Sequence, residues 1–151
     1  MVKKLQTIKY IEGIGKRRTA IARVRIYNVE KEGFVQVEGN KIKAGEIIVN
    51  NKFIEKIYNT EVSKNIYLKP LVKTATLDKF AVSVHLNGGG FRGQIEAIAH
   101  GISKALLHVD ESKYRSLLKA EGLLKRDPRI KERRKVGTGG KARRKKQSPK
   151  R

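Results

Sequence analysis

A chain of 151 residues with 38% hydrophobic content has material for one modest core, and 36 lysines and arginines against 14 acids leave it at +22. The absence of cysteine excludes disulfide frameworks, thiolate zinc sites and cysteine nucleophiles, while so large a cationic excess favours a polyanionic partner. Met1-Val2-Lys3-Lys4 leads into no apolar run and no window reaches membrane-spanning length, so neither a signal peptide nor a transmembrane helix is expected.

Gly13-Ile14-Gly15-Lys16-Arg17-Arg18-Thr19 reads as a turn bearing three consecutive cations ahead of a strand. A nucleotide-binding P-loop needs four residues between its first two glycines, then Lys and a hydroxyl residue, and it opens a helix. Here one residue separates the glycines and a strand follows. Several RNA phosphates suit such a turn, and plain solvation accounts for it equally well. From Thr19 to Tyr27 the residues alternate, Ala20, Ala22, Val24 and Ile26 on one side and Ile21, Arg23, Arg25 and Tyr27 on the other, which predicts a half-buried strand with a basic outer face.

Phe34-Val35-Gln36-Val37 and Lys41-Ile42-Lys43 flank Gly39-Asn40, a pair suited to the positive φ of a tight hairpin. Phe53, Ile54, Ile57 and Tyr58 have helical spacing, giving a helix over about 52–58 in a stretch with poor boundaries. Lys79 to Asn87 alternates again, with Phe80, Val82, Val84 and Leu86 opposite Ala81, Ser83, His85 and Asn87. An exposed sheet face would then carry Arg23, Arg25, Ser83 and His85, and alternation alone favours a solvated face over an RNA surface.

After Gly88-Gly89-Gly90, apolar residues at Ile95, Ile98, Ala99, Ile102, Ala105, Leu106 and Val109 define a long helix over 91–109. Its polar side holds Glu96, His100, Lys104 and His108. The three glycines run from a strand into a helix N-terminus, where free amides favour an anion; a tight turn over the sheet edge is the plain alternative. His100 and His108 are about 12 Å apart along that helix, too far to share a metal, and read as surface histidines. Asp110 or Ser112 caps a second helix that turns Tyr114, Leu117 and Leu118 inward, and Gly122 closes it. No internal repeat and no catalytic constellation emerges.

Lys125 to Arg151 holds fourteen cations against Asp127 and Glu132, a net +12, leaving +10 for residues 1–124. With little beyond Ile130, Val136 and Ala142 to bury, this segment is expected to stay extended until a polyanion neutralises it. Fully extended, its 27 residues span roughly 90 Å. The domain reading is therefore a globular body over 1–124 and an extended basic tail over 125–151, with strands and helices forming a two-layer α+β fold: a small mixed sheet with helices on one face.

Three segments in this order carry a specific resemblance. They are Gly13 to Val24; Gly88-Gly89-Gly90-Phe91-Arg92-Gly93-Gln94 with Ala97 to Ile102; and Arg126-Asp127-Pro128-Arg129 with Glu132 to Gly137, Lys141-Ala142-Arg143-Arg144 and a terminal Lys150-Arg151. Together they resemble the universal ribosomal protein S9 family of the small subunit, in its bacterial form. That resemblance implies an α/β sandwich of the ribosomal protein S5 domain 2-like type, a place in the subunit head, and binding to 16S-type rRNA. It also implies contact of the tail tip with the P-site tRNA anticodon stem-loop, neighbouring head proteins as further partners, and a cytoplasmic location. The expected rRNA contacts are Lys16, Arg17, Arg18, Arg23, Arg25, Gly88, Gly89, Gly90, Arg92, Arg126, Arg129, Arg133, Arg134, Lys135, Lys141, Arg143, Arg144, Lys145 and Lys146. Lys150 and Arg151 are the expected tRNA contacts. The chain ends Gln147-Ser148-Pro149-Lys150-Arg151 where the family usually ends Gln-Phe-Ser-Lys-Arg, keeping the charges without the aromatic.

On this reading no catalysis, cofactor, metal, membrane, small-molecule substrate or homo-oligomer is expected. Two alternatives share a related fold: the protein subunit of an RNA-processing ribonucleoprotein, whose Arg-rich helix is not found in 91–109, and a small-molecule kinase, supported only by Gly88-Gly89-Gly90.

Overall fold

A computed structural model describes residues 9–29, 33–37 and 39–133. β1 (Ile11–Arg17) and β2 (Ala20–Asn28) form an antiparallel hairpin, followed by a second, separate hairpin of β3 (Phe34–Val37) and β4 (Asn40–Lys43). β5 (Ile47–Val49) and β6 (Lys52–Phe53) come next, then the single turn α1 (Ile54–Ile57), α2 (Glu61–Lys73), a 3-10 turn at Leu77–Lys79 and β7 (Phe80–Asn87). α3 (Phe91–Val109) and α4 (Glu111–Ala120) complete the regular structure. The main sheet runs β1-β2-β7-β5-β6, mixed because β5 lies parallel to β7 while the other pairs are antiparallel.

The predicted alternation sets the layers. Ala20, Ala22, Val24 and Ile26 of β2, with Phe80, Val82 and Val84 of β7, face Ile95, Ile98, Ile102 and Leu106 of α3 and Tyr114 and Leu118 of α4 in one core. Each large aliphatic side chain buried there contributes about 2 kcal/mol. The helices cover one face, as expected. The opposite face is not left wholly polar: the β3–β4 hairpin lays Val37 and Ile42 over Tyr27, Val29, Ile48 and Ala81 in a second, smaller cluster. Only the end of that face carrying Arg23 and His85 stays open.

Two local readings change. Residues 13–17 belong to a strand, and the turn is confined to Arg18 and Thr19, with Arg18 at φ +50°. Gly13 and Gly15 are there for the helix: a Cβ on Gly15 would overlap the Ala97 carbonyl and the Gly101 amide, and one on Gly13 would sit 2.6 Å from the Gly101 carbonyl. The predicted helix over 52–58 is a β-strand followed by one helical turn, because Asn50 and Asn51, at φ +46° and +66°, form the two-residue loop that folds β6 back on β5. The larger helix of this region is α2, whose buried Ser63, Tyr67, Pro70 and Leu71 have helical spacing but include a polar residue and a proline. Lys69 and Lys73 of α2 reach Glu121 beyond α4 at 2.8 and 2.6 Å, and hydrogen bonds from Lys69 and then Lys73 lower that carboxyl to about 2.

Candidate nucleic-acid interface

Strand alternation separates the three consecutive cations. Lys16 shares the open sheet face with Glu12 and Ile14, Arg17 turns toward the helix layer with Gly13 and Gly15, and Arg18 sits exposed in the turn. Register then builds the open face row by row: Lys16, Ile21 and Asn87; Ile14, Arg23 and His85; Glu12, Arg25 and Ser83. Arg25 is fixed by Glu12 at 3.1 Å and lies 4.6 Å from the Tyr10 ring centroid, while Tyr27 hydroxyl and Ser83 Oγ are 3.3 Å apart. Arg23 and His85 are exposed.

Gly88 and Gly89, at φ +67° and +75°, pass so near the β1–β2 turn that a Cβ would meet the Thr19 carbonyl at 2.8 Å or the Ala20 side chain at 2.6 Å. Packing and backbone geometry therefore require both glycines. Gln94 ties the loop down, donating to the Gly88 carbonyl at 3.1 Å and accepting from the Tyr58 hydroxyl at 2.7 Å. Gly90 differs: a Cβ there meets nothing within 4 Å, and it caps α3 without any side-chain bond to the helix amides. The first-turn amides and exposed Arg92 thus open beside the basic turn. With Gly88 and Gly89 explained by packing, the kinase alternative loses its support.

Arg17, one of the expected rRNA contacts, is engaged within the protein by Glu96 and the segment around Asp127. Its Nε lies 2.5 Å from Glu96 Oε2 and its Nη2 3.1 Å from Asp127 Oδ2, and its Nη1 donates to the Arg129 carbonyl at 2.8 Å. The side chain is 11% exposed. Arg129 in turn binds Asp127 through both its guanidinium, at 2.7 Å, and its backbone N–H, at 2.9 Å. Those bonds, helped by the charge of Arg17, hold the Asp127 carboxyl well below the usual carboxylate range. Arg126, Arg129 and Arg133 are exposed around this root. Arg134, Lys135, Lys141, Arg143, Arg144, Lys145, Lys146, Lys150 and Arg151 lie outside the described residues.

His100 is not a surface residue but is buried. Its Nδ1 accepts the Lys16 N–H at 3.2 Å and its Nε2 lies 3.3 Å from the Leu124 carbonyl, partners that together require a neutral ring protonated at Nε2. Burial lowers its pKa, outweighing the opposing bond to Leu124. The uncharged run Ala97-Ile98-Ala99-His100-Gly101-Ile102-Ser103 was the available signal, since a helix without charge on any side over two turns is enclosed. A depressed folded-state pKa means that the unfolded chain binds more protons, so this contribution to stability is present above the ordinary histidine value of 6.5 and lost as pH falls below it. Denaturation midpoints should accordingly drop below pH 6.5 in the wild type, and His100→Gln should flatten that part of the profile; parallel profiles would contradict the assignment.

Of the two expected caps of α4, Asp110 serves, accepting the Lys113 N–H at 3.1 Å, and Tyr114 and Leu118 face inward as predicted while Leu117 is exposed. Among the described residues no cluster of three or more His, Cys, Asp or Glu side chains is arranged to hold a metal, and no helix is long and apolar enough to cross a membrane.

Residues 15–151, most of the chain, match the family described as ribosomal protein S9/S16. The chain belongs to this family. Members of ribosomal protein S9/S16 are RNA-binding constituents of the small subunit in the ribonucleoprotein that carries out translation, and the family is not enzymatic in general. The match begins at Gly15, whose contact with Gly101 brings β1 against α3, and it runs through the clamped root to the last arginine.

Proposed function

We propose that this protein is a structural constituent of the small-subunit head in the cytoplasm. Its body lies on 16S-type rRNA beside neighbouring head proteins, and its tail carries Lys150 and Arg151 to the anticodon stem-loop of P-site tRNA. The observation that carries this reading is the distribution of charge in a member of a ribosomal family: +12 on the last 27 residues and +10 on the remainder. Lys16, Arg18, Arg23 and Arg25 face phosphate from the sheet side, and Gly90 and Arg92 from the start of α3. Phosphate contacts of this kind position a protein without reading sequence, which suits a fixed place in one particle. Arg17 acts within the body by aiming the tail.

Co-sedimentation of the full chain with small subunits tests the reading, with a pre-ribosomal or processing RNA as the competing destination. The K16E/R18E double variant should incorporate poorly, while deletion of Lys150 and Arg151 should leave incorporation intact and speed P-site tRNA dissociation several-fold. Normal incorporation of the charge-reversed chain, or unchanged tRNA dissociation after the deletion, would remove the corresponding part of the proposal.

A further inference from the structure

The open end of the sheet contains a small recess lined by Arg23, Arg25, Asn51, Ser83 and His85. Ile48 and Val84 complete the lining, which draws on three strands and one turn. Cross-strand register sets Arg23 beside His85 and Arg25 beside Ser83, and β5 beside β7 brings in the Asn50-Asn51 loop. Asn50 fastens that loop, donating to the Leu86 carbonyl at 3.0 Å and accepting the Leu86 N–H at 2.9 Å, so Asn51 is held in place before any ligand arrives. No carboxylate lines the recess. Glu12, the acid on this face, is already engaged by Arg25 at 3.1 Å, whereas Arg23 makes no ion pair among the described residues.

We propose that this recess is a seat for a single phosphate of an RNA backbone, with Arg23 supplying the charge and Asn51, Ser83 and His85 supplying further hydrogen-bonding groups. The proposal rests on the RNA-binding reading above and adds Asn51, Ser83 and His85 to it. The enclosed part of the recess has room for about one water-sized group, which suits a phosphate oxygen. Exposed Ile14, beside Arg23 on its own row, and Ile21, on the next row, give the adjoining ribose an apolar surface.

The test uses the full chain and a small-subunit rRNA fragment, titrated across a salt series. Arg23→Gln should weaken binding about tenfold and reduce the salt slope by about 0.7, the value for one single-strand phosphate contact. Asn51→Gly, which keeps the positive φ of the loop, should weaken binding about threefold and leave the slope unchanged, because it removes an uncharged group. Both positions are exposed, and unchanged denaturation midpoints will confirm that each variant folds. If wild-type binding is steeply salt-dependent but neither variant alters it, the seat is overturned and the broader reading survives. If the wild type binds no rRNA, both fall. Inorganic phosphate distinguishes the sources: displacement of the His85 imidazole resonance by millimolar phosphate but not by RNA would make this a free-anion site and overturn the proposal.

Discussion

Gly15→Ala is expected to lower unfolding stability by about 3 kcal/mol, because the added methyl group would collide with backbone and not with a side chain able to rotate away. The Ala97 carbonyl and Gly101 amide it would strike belong to the middle of α3, the helix that fills the core. Relief would require moving α3 off β1, and with it the Arg17–Glu96 contact one turn earlier on the same helix. The reduced entropy of the unfolded alanine chain returns at most about 1 kcal/mol. Gly90→Ala is the control: its Cβ meets nothing within 4 Å and its φ is negative, so the change should stay within about 0.5 kcal/mol. Urea denaturation of the two variants checks the pair, and equal midpoints would show that β1 and α3 do not need this close contact.

Removing residues 134–151 should produce the largest change in RNA affinity. The segment carries nine cations and no acid. If each cation meets one phosphate, the salt slope of binding should fall by about 6, at about 0.7 per contact. Affinity in low salt should fall by several orders of magnitude, while the described body, which owes its cores to residues before 125, should keep its denaturation midpoint. Filter binding across a salt series gives the slope. A truncated chain with the full-length slope would move the RNA-binding role onto the body alone.

Much of the fold was legible because β2, β7 and α3 each bury a simple apolar period: two in the strands, three and four in the helix. β1 was not legible. Its buried positions are Gly13, Gly15 and Arg17, and the reason for the glycines is a helix more than eighty residues later. α2 was obscured by Ser63 and Pro70 on its buried side; Pro70 also lacks the N–H that would have bonded to Ile66. The Asn50-Asn51 loop carried a usable signal, since two residues tolerant of positive φ between short apolar runs mark a tight hairpin. In the candidate interface, the cationic residues and the face bearing Arg23, Arg25, Ser83 and His85 followed from alternation. The inward role of Arg17 did not, since it depends on Glu96 and Asp127 meeting at the end of β1.

The bond from Arg17 to the Arg129 carbonyl joins positions 112 apart in the chain. Such a pairing closes late, after the intervening strands and helices have assembled and brought its two ends together. A partly folded body would leave Asp127 and Arg129 unheld, so this guanidinium ties the order of the segment around them to completion of the fold.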